Sequence, residues 1–157
     1  MQQEKNAKTN KTGKNKEYIA NVLIVDNDPE MARFMLAILA RKGIRGHIID
    51  NKESVMDFIN KSRCDLIFAS DTISRRTDMT NEPKDYYELV GKIRENCPEL
   101  PMIMIAEAEQ ESSKKQQQTI ERAVKAIRQG CYDFLIKPLD QKKVEELLDI
   151  FLPNHSY

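Results

Sequence analysis

Long apolar runs are missing from this 157-residue chain. No segment approaches the ~20 consecutive apolar residues that a membrane span needs, and the N-terminus lacks the apolar stretch of a signal peptide. Both absences point to a cytoplasmic protein. Cysteine is scarce: Cys64, Cys97 and Cys131 are odd in number, far apart, and form no C-x-x-C. That argues against a disulfide framework or zinc site and for small packing residues. The two histidines, His47 and His155, are not spaced as a metal pair. Net charge is absent as well, since 25 Lys and Arg balance 25 Asp and Glu. Composition therefore offers no general attraction to nucleic acid. There are no internal repeats.

The balanced charge hides an asymmetry. In residues 1–17, Lys5, Lys8, Lys11, Lys14 and Lys16 face only Glu4 and Glu17. With almost no apolar residues to offset its ordering entropy, this opening segment reads as a basic, disordered tail over 1–19. Contact with nucleic acid or anionic lipid is conceivable for such a tail; a solvated segment that aids solubility is the plainer reading. Residues 20–153 have the length of one domain, and 154–157 form a short C-terminal tail.

Within that domain, five short apolar runs alternate with helical patterns. The runs are NVLIV (21–25), GHIID (46–50), LIFA (66–69), MIMIA (102–106) and DFLI (133–136). Continuous apolar runs suit strands covered on both faces, as in a parallel sheet. Between them, Met31, Phe34, Met35, Ile38 and Leu39 recur at helical spacing, with Asp28 as N-cap, Pro29 in the first turn and Gly43 after the last. Val55, Phe58 and Ile59 mark a second helix; Tyr86, Leu89, Val90 and Ile93 a third; Ile120, Val124 and Ile127 a fourth, ended by Gly130. Val144, Leu147, Leu148 and Phe151 mark a fifth, capped by Asp140. The order βαβαβαβαβα predicts an α/β fold: a doubly wound, five-stranded parallel sheet with helices on both faces.

In such sheets the functional site lies at the carboxyl ends of the strands. The residues there are Asp26, Asn27 and Asp28; Ser70 and Asp71; Ala106 and Glu107; and Lys137. Carboxylates after the first strand and a lysine after the fifth suit a cation and phosphate site. Each piece alone has a blander reading, Asp28 as a helix cap and Asp26 as a partner for loop amides. Together, at five-strand spacing, they are far more specific.

VLIVDNDPEM (22–31) resembles the opening of response-regulator receiver domains, and GCYDFLIKPLD (130–140) closely resembles their fifth strand with its lysine-proline signature. DLIFAS (65–70), DYYELVGKIRENCPELP (85–101) and ELPMIMIAE (99–107) resemble the third strand, third helix and fourth strand. The resemblance covers residues 20–153. It implies the flavodoxin-like strand order 2-1-3-4-5. It also implies a mechanism. A sensor kinase's phosphohistidine donates to an aspartate ending strand three, Mg²⁺ bound by an acidic pair neutralises the charge, and the lysine contacts the phosphoryl group. A Ser or Thr after strand four and an aromatic in strand five then shift, changing the surface of helix four, strand five and helix five.

This sequence departs from that pattern at several positions. Asp26 matches the first acidic position, but Asn27 stands at the second and lacks the charge that offsets a dication's desolvation. Asp28 has a carboxylate but is needed as a cap. Asp26 and Asp28 are the candidate metal ligands, for Mg²⁺ held weakly or not at all. Counting from Asp65, the phosphoacceptor place falls on Ser70, which cannot form an acyl phosphate. Asp71 follows one residue late, and a one-residue shift points a strand side chain to another face unless a bulge re-aims it. Ala106 fills the switch position without a hydroxyl, and Glu107 adds negative charge beside it. Lys137 is intact, Pro138 suits the family's cis peptide, and Phe134 takes the aromatic position. The connections DTISRRTDMTNEPK (71–84) and EAEQESSKKQQQ (107–118) are longer than usual in the family, Tyr86 replaces a glycine, and Ser112 or Ser113 is the candidate cap of helix four.

The leading expectation is a non-enzymatic, receiver-like signalling domain that has lost standard aspartyl phosphorylation and acts through protein–protein interaction. Lys137 then gains a structural partner, Asp26 or Asp71, where phosphate once sat. Its partner is a sensor kinase or a downstream protein, with a homodimer through helix four, strand five and helix five as a further option. The expectation includes no output domain on this chain, since Tyr157 comes shortly after the fifth helix. One alternative is a phosphorylatable receiver using Asp71 with Mg²⁺ on Asp26 and Asp28. Another is a small-molecule-binding flavodoxin-like domain, which the lack of a glycine-rich first turn disfavours.

Overall fold

The computed structural model describes residues 19–73, 83–107 and 113–152, and the side chains of 113–116 are outside it. The expected tails, Ser112, and much of the two long connections therefore lie outside the described residues. Strand β1 (Asn21–Val25) leads into α1 (Pro29–Arg41), β2 (Arg45–Ile49), a 3₁₀ turn and α2 (Val55–Lys61). Strand β3 (Leu66–Ser70), a second 3₁₀ turn (Asp71–Ile73), α3 (Lys84–Asn96), β4 (Met102–Ala106), α4 (Ser113–Gln129), β5 (Asp133–Ile136) and α5 (Gln141–Phe151) follow. The five strands form one sheet in the order β2-β1-β3-β4-β5, with every neighbouring pair parallel. This is the doubly wound order expected from the sequence.

Strand periodicity sorts the core into two layers. Val22, Ile24, Leu66, Phe68, Ile103 and Ile105 pack against Met35, Ile38 and Leu39 of α1 and Val144 and Leu148 of α5. The alternate residues Leu23, Val25, Ile67, Ala69, Met102 and Met104 pack against Val55 of α2, four residues of α3, and Ala123 and Ala126 of α4. All five residues of β3 and of β4 are buried, as a central parallel strand covered on both faces requires.

Local chemistry sets the helix ends. Asp28 Oδ1 accepts from the Glu30 and Met31 amides at 3.1 and 3.4 Å, with Pro29 opening α1. Gly43 turns the chain out of α1 at φ +72. Gly46 has a different reason to be glycine: a Cβ there would lie 2.6 Å from Leu36 Cδ2 and 2.8 Å from Leu39 Cδ1 of α1, so both leucine side chains would have to shift.

Helix α4 corrects the sequence reading. Its stripe of Ile120, Val124 and Ile127 is turned outward, 45%, 38% and 39% exposed, while Thr119, Arg122, Ala123 and Ala126 are buried. Two alanines let the helix lie close to the sheet, and Arg122 faces inward because a buried carboxylate awaits it.

Candidate functional site

Asp26 follows β1, Ser70 ends β3, Glu107 follows β4 and Lys137 follows β5, so the topology brings all four to one edge of the sheet. The Lys137 amide continues the ladder by donating to the Ala106 carbonyl at 2.9 Å, and the Lys137–Pro138 bond is cis. The lysine ammonium is the hub. It donates to Glu107 Oε2 at 2.9 Å and Asp28 Oδ2 at 3.3 Å, and lies 3.3 Å from Asp26 Oδ2. The last contact is an ion pair without hydrogen-bond geometry. Burial alone would pull the Lys137 pKa down, but the Glu107 hydrogen bond, the charges of Asp26 and Glu107 and the Asp28 hydrogen bond outweigh it and raise it above the ordinary 10.5. Asp28 moves the other way: desolvation would raise it, yet the bond from Lys137 and the Met31 amide hold its carboxyl below the ordinary 3.8.

A chain of hydroxyls closes the other side of Asp26. Its Oδ1 accepts from the Asp28 amide at 3.0 Å and from Thr72 Oγ1 at 3.3 Å. Thr72 Oγ1 also lies 3.4 Å from Asn27 Oδ1 and 2.7 Å from Ser70 Oγ. An ionised carboxylate only accepts, so Thr72 donates to Asp26 and Ser70 donates to Thr72. Ser70 Oγ in turn accepts the Thr72 amide at 3.1 Å. Ser70 is fully buried, and its hydroxyl is spent on Thr72.

Asp71 goes elsewhere. It is 0% exposed and pairs through Oδ2 with Arg122 Nε at 3.1 Å, itself 5% exposed. Its Oδ1 accepts from the Glu107 amide at 3.4 Å. Arg122 Nη2 and Thr119 Oγ1 donate to the Glu107 carbonyl at 3.2 and 3.5 Å. Of the two partners expected for Lys137, the structure brings Asp26 to it, and Asp71 faces α4 instead. The one-residue shift past Ser70 carries the Asp71 carboxylate to the α3–α4 side of the sheet.

Ala106 is buried at the end of β4, paired with Ile136. Phe134 is half-buried and packs on the layer beneath α3 and α4. Pro138 lines a groove of about 460 Å³ together with Met31, Phe34, Leu139 and Lys137. Asp26 and Asp28 supply the oxygens that Mg²⁺ takes. As arranged they do not fit it, because the Lys137 ammonium holds the point on which their oxygens converge. No group of three potential ligands forms a metal site among the described residues.

Thr72 and Arg122 were not singled out in the sequence. The signal for Arg122 was the spacing of Thr119, Arg122, Ala123 and Ala126, a second helical stripe outweighed by the more apolar Ile120, Val124 and Ile127. Thr72 carried only the weak signal of a hydroxyl two residues after Ser70.

The description "response regulator receiver domain" belongs to the family model that matches residues 22–149. The nitrogen assimilation regulatory protein NtrX of Azorhizobium caulinodans is 27% identical over 124 residues, covering 79% of this chain and 24% of that protein. The DNA-binding transcriptional regulator NtrC of Rhizobium meliloti is 26% identical over 121 residues, 77% of this chain and 22% of that one. The chain thus spans about a quarter of the length of these curated relatives. Among solved structures, the receiver domain of NtrX from Brucella abortus superposes with TM-score 0.67 at 25% identity, covering 85% of this chain and 98% of that one. No helix among the described residues is long and apolar enough to cross a membrane.

Proposed function

The chain belongs to the response regulator receiver family, and from that premise we propose that it is a receiver which signals by protein–protein interaction without standard aspartyl phosphorylation. One observation carries this reading. The Lys137 ammonium, the group that meets the phosphoryl oxygens in the family, is already held by Glu107, Asp28 and Asp26. At the acceptor place stands Ser70, whose hydroxyl cannot form an acyl phosphate. The nearest carboxylate in sequence, Asp71, is neutralised by Arg122.

On this reading the residues hold one conformation rather than switch between two. Lys137 occupies the carboxylate oxygens of Asp26 and Asp28 that Mg²⁺ would take, so Mg²⁺ binds weakly or not at all. Asn27 removes a further charge, and Ala106 has no hydroxyl to follow a phosphoryl group. Phe134 serves packing. The domain performs no catalytic step of its own and works in the cytoplasm.

Its partner is a protein: a sensor kinase or a downstream signalling component. The outward Ile120, Val124 and Ile127 of α4, with Ile136 of β5 and Ile150 of α5, support a surface for such a partner or for a second copy of the chain. The rival is a phosphorylatable receiver that uses Asp71 with Mg²⁺ on Asp26 and Asp28. Incubation with acetyl phosphate and Mg²⁺, read by intact mass, separates the two. No phosphoryl adduct is expected; an adduct that disappears in Asp71→Asn overturns the proposal.

A further inference from the structure

Beside the direct Asp71–Arg122 pair, several polar contacts between this sheet edge and α4 meet at Glu107. Its amide faces Asp71 Oδ1, its carbonyl receives Arg122 and Thr119, and its carboxylate receives Lys137. We infer that Asp71, Arg122 and Glu107 form a latch that fixes α4 on the sheet and couples its outward Ile120–Val124–Ile127 face to the Lys137 cluster.

Two features of the packing make the latch carry more than a surface ion pair would. First, the described apolar residues that α4 buries are only Ala123 and Ala126, whereas α1 buries Met31, Met35, Ile38 and Leu39, and α3 buries Tyr86, Leu89, Val90 and Ile93. An alanine methyl removes a fraction of the apolar area of leucine or methionine from water, so polar contacts make up more of the hold on α4. Second, Asp71 and Arg122 are out of solvent. If α4 shifts by a turn, this ion pair breaks in a dry setting, an expensive outcome that leaves one favoured position.

The coupling follows from the shared residue. Glu107 belongs to both sets of contacts: its carboxylate meets Lys137, while its N–H and carbonyl meet Asp71, Arg122 and Thr119. A change at the Lys137 cluster thus reaches α4 through one residue, with no hydroxyl at Ala106 required. The inference rests on the proposed function only in taking the outward face of α4 as the signalling surface. Phosphoryl labelling bears on that reading and helix protection on this one, so either can fail alone.

The test is backbone hydrogen exchange in the full chain, without any phosphodonor. In Arg122→Gln, amides over 117–129 should exchange about tenfold faster or more, with α1 and α5 unchanged. Lys137→Gln should speed the same amides by a smaller factor, and the double variant should fall short of the product of the two. If Arg122→Gln does not fold, the neutral pair Asp71→Asn with Arg122→Gln leaves no buried charge unmatched and is read in its place, with the same acceleration expected. Wild-type protection of α4 in whichever of these variants is read overturns the latch. Acceleration shared equally by α1 and α5 also overturns it, and independent effects of Lys137 and Arg122 overturn the coupling.

Discussion

Two cation–carboxylate clusters stand at the same end of the sheet and are built on opposite terms. Around Lys137, three carboxylates share one ammonium; the Asp28 and Glu107 side chains are 39% and 43% exposed while Asp26 is sealed. Among the described residues, the Asp71 carboxylate meets the Arg122 guanidinium, and both are shut off from water. The first cluster carries spare negative charge and a route to solvent, so it can adjust to a change in its cation. The second is dry, so losing either partner leaves a charge out of reach of water. On the proposed reading the adjustable cluster occupies the family's place for chemistry, and the rigid one ties the neighbouring helix.

The largest effect should come from breaking the dry pair. Asp71→Ala strands Arg122 and should lower the unfolding free energy by about 3–5 kcal/mol, the usual range for removing one member of a buried pair; urea denaturation measures it. Lys137→Gln should cost less, about 1–3 kcal/mol, because Asp28 and Glu107 can turn to water and only Asp26 stays trapped. A larger loss for Lys137→Gln than for Asp71→Ala would invert the comparison. Thr72→Val removes the hydroxyl between Ser70 and Asp26 and should cost about 1 kcal/mol in the same assay.

The smallest effect is the pH dependence of the open cluster. Lys137 has a raised pKa in the folded state, so its contribution is complete below 10.5 and is lost as pH climbs through the folded value above it. Asp28 has a lowered pKa, so its contribution is complete above 3.8 and is lost as pH falls through the folded value beneath. Between these limits Lys137 and Asp28 add no slope to stability. Denaturation midpoints in Lys137→Gln should lose the alkaline decline relative to the wild type; an unchanged decline would detach it from Lys137.

The difference between the clusters also governs what the sequence reveals. The strands were legible because their apolar runs are continuous, and α1 because its stripe, its Asp28 cap and Gly43 agree with one another. Lys137 was legible through the motif around it, with its partner left open between Asp26 and Asp71. Only the fold decides between them, since Asp26 and Asp71 end on different sides of the same edge. The dry pair was hidden because Asp71 and Arg122 are 51 residues apart and because an arginine on a helix normally reads as solvent-facing. Helix α4 misled for a related reason. Its large apolar residues point outward and its small ones inward, against the rule that the most apolar face is the buried one.

On the proposed reading, Lys137 is already satisfied by this chain's own carboxylates. The ¹⁵N signal of the Lys137 side-chain amine, followed while beryllofluoride and Mg²⁺ are added, tests it most directly. That signal should stay where it is, since Glu107, Asp28 and Asp26 keep the ammonium. A saturable shift of the Lys137 signal that requires both Mg²⁺ and beryllofluoride, and that vanishes in Asp71→Asn, would contradict it.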